Sequence, residues 1–448
     1  MFLENPSKLK KRSFFEALQA QKLPVFLFLL AFGLFFYFYA GQLIKQPSTD
    51  FPSFYWGARY AWVDHLNPYG ESSFAPVEPQ TGQSIFPYLY PPFSLLLFAP
   101  LAWFSYPTAR VVMLGVNLAC LLGCLYLLLW LYLRPRRVWL GLVLAVFGLV
   151  FQPVLVTLDH GQVNLLVLFL ILLSWAGLEK KIAPFWAALA LSAAIVLKTY
   201  PVILLAWFVL KREWRVLGWT FVFLAAATVL SGVLLPGLWA DWVVQVLPSG
   251  GYGLTPMGLF SPAAPWNQGI NGFTARLFLE NTYSANFFLS PRVAKVAPVA
   301  LSLGVLFPTL FVLALRVLPR QFALFRKSPL SILSVDTVGQ VTTSLNLEAL
   351  AALLLVMFLI TPLSWEHHLV FALPAIFLLA CRLADRGKVR WQLFGAVLCG
   401  LLLALPLPFS SEALRAGWQV LLISIKFYAA CGLWFFLLVE TACQIKTN

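Results

Sequence analysis

Long apolar runs separated by short polar breaks govern this chain. Twelve such runs lie near residues 24–44, 108–133, 138–157, 163–178, 183–197, 200–210, 216–235, 296–315, 347–361, 368–381, 391–408 and 418–439. About 20 apolar helical residues cross the hydrocarbon core of a bilayer. The pattern therefore predicts an all-α polytopic membrane protein with about twelve transmembrane helices. Two longer intervals, 45–107 and 236–295, are rich in Pro, Gly, Trp and Tyr but poor in charge. That composition predicts packed structure on the membrane surface. Within the first, "YPPFSLLLFAPLAWF" predicts a short helix lying flat or dipping in. A third interval, 316–346, contains "FRKSPLSILSVDTVGQVTTSLN" and predicts a flexible loop. Without an internal repeat, residues 1–448 are expected to form one domain.

Charge orients the pattern. Basic residues recur at alternate breaks: Lys8 to Arg12, Arg134 to Arg137, Lys180/Lys181, Lys211 to Arg215, Arg316 to Lys327, Arg382 to Arg390, and Lys446. By the positive-inside rule these face the cytoplasm, with 316–346 as a cytoplasmic loop and both termini cytoplasmic. The intervals 45–107 and 236–295 are then extracytoplasmic, as are the turns "LDHGQVN", "LKTYP" and "TPLSWEHH". The net charge of +14 reflects orientation, not a nucleic-acid partner. With 61% hydrophobic residues and a mean hydropathy of +0.84, the chain has more apolar surface than a soluble core can hide. No small-residue cleavage site follows the first run, which predicts a retained anchor. The six cysteines sit in or beside apolar runs and are expected to be inert.

Polar residues collect on the outer side: Asp50, Arg59, Asp64, His65, Asp159, His160, Gln162, Asn164, Lys198, Asn267, Gln268, Asn271, Arg276, Glu366, His367 and His368. A charge inside a membrane costs about 2.5–3.5 kcal/mol, so this collection points to a site at that face. Blander roles compete. Asp50 could cap the helix that follows it, His65 could belong to a turn, and Asp159/His160 could be a solvated turn. Lys198 could snorkel. His367 and His368 are adjacent, and neither H-E-x-x-H nor D-x-D occurs, so no metal is expected. P-loop and Rossmann glycines are missing too, and no cofactor is expected. One acid with nearby cations suits sugar transfer from a lipid phosphate, because phosphate leaves without a general acid.

Several stretches together resemble a known family. "TDFPSFYWGARYAWVDHLNPYG", "YLYPPFSLLLFAPLAW", "GQVNLLVLFLILLSW", "AALALSAAIVLKTYPVILLAWFVLKREWR", "NQGINGFTARLF" and "TPLSWEHHLVFALPAI" are similar, in order over about residues 48–380, to motifs of glycosyltransferase family 87. The sequence departs from the pattern at Tyr55/Trp56, where the family has two tyrosines, and at Gly269 in place of serine. The resemblance implies a GT-C-type fold in the cell (inner) membrane with its active site on the extracytoplasmic side. It implies inverting, metal-independent transfer of a hexose, typically mannose, from a polyprenyl-phosphate sugar donor to a lipid or glycan acceptor. Asp50 would be the catalytic base. His367 or His368, with Lys198 and Arg276, would hold the phosphate, and Gln162, Asn164, Asn267, Gln268 and Tyr55 would complete the substrate-binding set. A transporter or flippase is the rival from another class, but its site should lie at the midplane between repeats. A lipid-linked-glycan ligase or polymerase is the rival among enzymes.

Overall fold

The computed structural model describes residues 22–70, 82, 85–133, 137–180, 183–258, 261–325, 335–386, 391–409, 411–415 and 417–443. Lys8 to Arg12, Arg134, Arg136, Lys181, Lys327, Lys388, Arg390 and Lys446, all used in the charge reading, lie outside the described residues. Among the described residues every regular element is a helix. The first run is α1 (Lys22–Phe35), extended by a π-helical turn, Phe36–Ala40. The first long interval folds as α2 (Phe51–Arg59) and α3 (Leu95–Ala102). Then come α4 (Tyr106–Tyr132), α5 (Val138–Val150), α6 (Gln152–His160), α7 (Asn164–Lys180), α8 (Pro184–Leu197), α9 (Leu205–Leu210) and α10 (Trp214–Leu234). The second interval holds α11 (Ile270–Phe278), and the chain continues through α12 (Pro291–Phe325), α13 (Val335–Ile360), α14 (Leu373–Arg386), α15 (Trp391–Ala404) and α16 (Ile425–Cys443). A 3-10 helix, Glu366–Ala372, leads into α14.

Proline sets several of these boundaries, because it has no N–H to donate and is tolerated best in the first turn of a helix. Pro107 and Pro184 stand in the first turns of α4 and α8. At "FQPV", Phe151 is extended and Pro153 opens α6, so α5 and α6 meet at a bend of 42°.

Among the described residues six segments are long and apolar enough to cross a membrane: Lys22–Leu43, Tyr106–Tyr132, Trp214–Leu234, Pro291–Leu318, Glu366–Ala384 and Leu421–Cys443; the bent α5–α6 pair makes seven. The protein is a multi-pass membrane protein. The other five predicted runs are helical as well, in apolar stretches of 10–17 residues. Burial separates the two groups. The Leu345–Leu359 part of α13 buries side chains on all faces, and α7 short of its last turn buries all but the stripe of Leu166, Phe169, Leu170 and Leu173; Trp175, Leu353 and Leu355 are among the buried side chains. The long α1, α10 and α12 turn Phe26, Leu29, Phe221, Val233, Phe307 and Phe311 outward, and only lipid can cover such a surface.

Polar links tie the inner helices. Trp175 Nε1 donates to the Asn346 carbonyl (2.9 Å) and the Tyr132 hydroxyl to that of Leu347 (3.2 Å), joining α4 and α7 to α13. Buried Glu348 pairs with Arg316 and Arg382 and so joins α12, α13 and α14. The predicted loop 316–346 is shorter than expected. Its ends extend α12 to Phe325 and begin α13 at Val335, and residues 326–334 lie outside the described residues.

Candidate active site

Four chain segments converge on one cavity of 440 Å³: the start of α2, the chain ahead of α3 (Phe86 to Tyr90), the α6–α7 turn and the start of the 3-10 helix before α14; Lys198 and His368 are not among its lining residues. Asp50, Ser53, Tyr90, His160, Gln162, Trp266, Trp365, Glu366 and His367 are among its lining residues.

Asp50 stands at the N-cap of α2, where a carboxylate usually accepts from the first-turn N–H groups. Its carboxylate makes no such bond. Gln162 Nε2 donates to Oδ2 at 2.7 Å, His160 Nδ1 lies 3.7 Å from the same oxygen, and the Asp50 N–H donates to the His160 carbonyl at 3.0 Å. Simple capping is thereby excluded. Burial pushes the Asp50 carboxyl up, but the imidazoles of His160 and His367 and the Gln162 amide outweigh it and hold the group at about 2. The glycine of "GQVN" makes this contact possible. Gly161 has φ +65°, and a Cβ there would stand 2.7 Å from that of Phe51, so only glycine lets the turn approach Asp50 so closely.

Lys198 follows α8 in an extended conformation and does not snorkel: it is 2% exposed. Its Nζ lies 3.2 Å from His368 Nε2 and over the rings of Tyr90 and Tyr200, at 5.6 and 5.8 Å. Burial pushes this ammonium down to about 7, against the pull of the Asp50 carboxylate. His367 and His368 are buried with rings 4.6 Å apart, and His367 also meets His160 edge to face at 5.5 Å. The hydroxyl of Thr157 on α6 donates to the His367 carbonyl (3.2 Å) and fixes the pair against α6. Four buried nitrogens here, His160 Nδ1, His367 Nε2, His368 Nδ1 and Asn164 Nδ2, have no hydrogen-bond partner among the described residues. Such atoms are costly unless a ligand uses them. Asn164 is held through its Oδ1, which accepts from Tyr200 at 3.2 Å.

The other expected site residues are spent elsewhere. Arg276 is 1% exposed and donates to the carbonyls of Ala264 and Asn267 (2.9 Å each) and, through Nε and Nη2, to Ser424 Oγ. Its donors are used on neutral acceptors in this structure. Asn267 donates to the carbonyls of Pro262 and Pro362 and accepts from Ser364 N. Gln268 donates to those of Pro265 and Ile423 and accepts from Phe427 N. These three residues form a strap that holds "TPLSW" and the start of α16 in place. Gly269 packs on Ser364, where a Cβ would come within 2.8 Å. Tyr55 is core: 2% exposed, ringed by Phe51, Trp56 and Tyr106, and bonded through its hydroxyl to the Phe104 carbonyl. Arg59 pairs with Asp64 (3.6 Å), and His65 takes the left-handed conformation expected of a turn.

Two site members were missing from the expected set. His160 and Glu366 stood among the outer polar residues, but their nearness to Asp50 and to the cavity depends on tertiary contacts. A third geometry was also hidden: Asp50, His160 and His367 each offer a ligand atom within 4.8 Å of one another. As placed, it is an acid flanked by two imidazoles.

The cavity thus combines an ionised acid, imidazoles and aromatic walls, with the buried Lys198–His368 pair next to His367 and outside that lining. The model of glycosyltransferase family 87 matches residues 88–328, more than half of the chain. The polyprenol-phosphate-mannose-dependent alpha-(1-2)-phosphatidylinositol mannoside mannosyltransferase of Mycolicibacterium smegmatis is 27% identical over 348 residues, 74% of this chain and 69% of the relative. The protein of the same name from Mycobacterium tuberculosis is 26% identical over 369 residues, 79% of this chain and 74% of its own. No solved structure gives a significant match. With its motifs in order and most of its helical body matched, this chain belongs to glycosyltransferase family 87.

Proposed function

We propose that this glycosyltransferase moves mannose from a polyprenyl-monophosphate carrier to a lipid or glycan acceptor, with inversion and without a metal, on the extracytoplasmic face of the cell membrane. One observation carries the reading: Asp50 is held ionised in the cavity, and next to the lining residue His367 stands the buried Lys198–His368 pair, with imidazole nitrogens that have no hydrogen-bond partner among the described residues. The donor phosphate would take the Lys198 ammonium and the free histidine nitrogens. Asp50 would accept the proton of the acceptor hydroxyl as that oxygen attacks the anomeric carbon and the phosphate departs. A carboxylate held at about 2 is a weak base, so the proton moves as the new bond forms and not before. The phosphate leaves with its charge stabilised by the cation, and a second carboxyl acting as general acid is unnecessary.

The chain would fold as one GT-C-type domain of twelve spans. The intervals 45–107 and 236–295 would lie outside, which puts the cavity on the side where a lipid-linked sugar is presented. The relatives' names support mannose and the polyprenyl carrier. A metal-assisted reading has one observation in its favour, the Asp50–His160–His367 group. Both readings meet in one assay. The purified protein in lipid is given several polyprenyl-phosphate sugars, with and without complete chelation of divalent ions, and products are identified by mass spectrometry. Mannosylated product that persists under chelation is expected. Loss under chelator with recovery on manganese would replace the metal-free mechanism, and the lack of any product from polyprenyl phosphates would overturn the donor class.

A further inference from the structure

Glu366 lines the same cavity as Asp50, yet the transfer mechanism does not use it. Its Oε1 receives the ammonium of Lys426, which is fully buried on α16. Taking two charges out of water is expensive, and packing alone would be served as well by apolar side chains. This pair, however, leaves part of the carboxylate open: the Glu366 side chain is 11% exposed, and the cavity is the space it borders. Beside it, Trp266 is 37% exposed, with the ring of Trp365 6.2 Å away. A fixed anionic acceptor next to a part-exposed indole, Trp266, is the chemistry of sugar recognition. Vicinal hydroxyls donate to the carboxylate, and the C–H face of the ring lies on the indole.

We infer that Glu366, held by Lys426 and flanked by Trp266 and Trp365, is a hydroxyl-binding subsite for a sugar ring on the acceptor. The inference rests on the transfer reading above and sharpens it by naming the residues that would hold the hydroxyls of the acceptor's sugar, a mannoside in the relatives' names. Asp50 takes the proton of the attacking hydroxyl, and Glu366 holds others on the same acceptor. A cavity of 440 Å³ falls in the range of roughly 300–1,000 Å³ that encloses ligands larger than a single ring.

The test uses the full chain in lipid nanodiscs, with octyl α-mannoside and its monodeoxy analogues as probes. Glu366→Gln alone leaves a buried ammonium and could fail to fold. The double variant Glu366→Gln with Lys426→Met removes both charges and is the decisive one. Binding is read by quenching of tryptophan fluorescence, and a polyprenyl monophosphate serves as the donor-side control. The double variant should bind octyl mannoside about ten- to a hundredfold more weakly, the loss of a charged hydrogen bond, with unchanged affinity for the polyprenyl monophosphate. At least one monodeoxy mannoside should lose affinity for the wild type but not for the double variant. Wild-type affinity of the double variant for octyl mannoside would overturn the subsite even where mannosyl transfer proceeds. A weakened double variant together with a wild type that transfers nothing from polyprenyl phosphates would support the subsite and overturn the transfer reading instead.

Discussion

Two groups of buried polar residues stand side by side on this protein, and their hydrogen bonds divide them. Around the cavity, Asp50, Lys198, His367 and His368 touch one another but leave nitrogen atoms without hydrogen-bond partners among the described residues. In the strap, Asn267, Gln268 and Arg276 are buried at least as deeply, and their side chains are bonded to backbone carbonyls, amides and a serine. Burial of polar groups marks both as important. Only unspent valence marks the first as a place where a ligand is missing from the accounting of donors and acceptors.

Substitutions can break this contrast. The largest effect is expected at Asp50. Asp50→Asn keeps the shape and can still accept from Gln162, but it cannot take a proton, so turnover should fall ~10²–10⁴-fold while donor affinity stays near wild type. Near-normal turnover would return Asp50 to a structural role.

Next comes the cation. Lys198→Met removes a charged partner of the phosphate and should weaken donor binding about ten- to a hundredfold. The pH dependence sharpens the point. In the folded protein the Lys198 proton leaves near 7, against 10.5 when unfolded, so the charge is present below about 7 and lost as pH rises through it. Donor affinity should therefore fall above pH 7, and Lys198→Arg should flatten the fall, as read from binding curves between pH 6 and 9. Between 7 and 10.5 the unfolded state binds the extra proton, so this residue's contribution to stability rises with pH over that window. His368, Tyr90, Tyr200 and Asp50 are the groups that face it.

The strap should respond in the opposite currency. Arg276→Met strands the Ala264 and Asn267 carbonyls and Ser424, at a cost of about 2–4 kcal/mol in stability, while folded protein keeps donor affinity within about twofold. A large loss of donor affinity without a drop in melting temperature would move Arg276 into the site. The smallest effect belongs to Tyr55→Phe, which gives up one hydrogen bond to Phe104, about 1 kcal/mol of stability, and leaves kinetics unchanged.

The sequence made some of this visible. Apolar runs announce helices because a bilayer demands about 20 apolar residues, and all twelve runs are helical. The gap between run and span appears where a helix such as α7 is buried among others and is shorter than a lipid-facing one. Asp50, Lys198 and the two histidines were legible because charge and imidazole are conspicuous amid leucine and phenylalanine. The Gln162–Asp50 bond was not, since it joins positions 112 residues apart. Nor was the fate of Gln268 and Arg276: their partners are backbone carbonyls of Ile423 and Ala264 and the hydroxyl of Ser424, which carry no signal in a string of letters. A polar residue in an apolar chain says that something needs it, but not whether that is a ligand or the backbone.

The division between cavity and strap is tested most directly by an experimental structure of the protein in lipid with a polyprenyl-phosphate mannose bound to the Asp50→Asn variant. The phosphate is expected within about 3 Å of Lys198 Nζ and a histidine nitrogen of the 367–368 pair, with the anomeric carbon facing position 50. A phosphate seated on Arg276, or anywhere outside the cavity that Asp50 lines, would contradict the assignment.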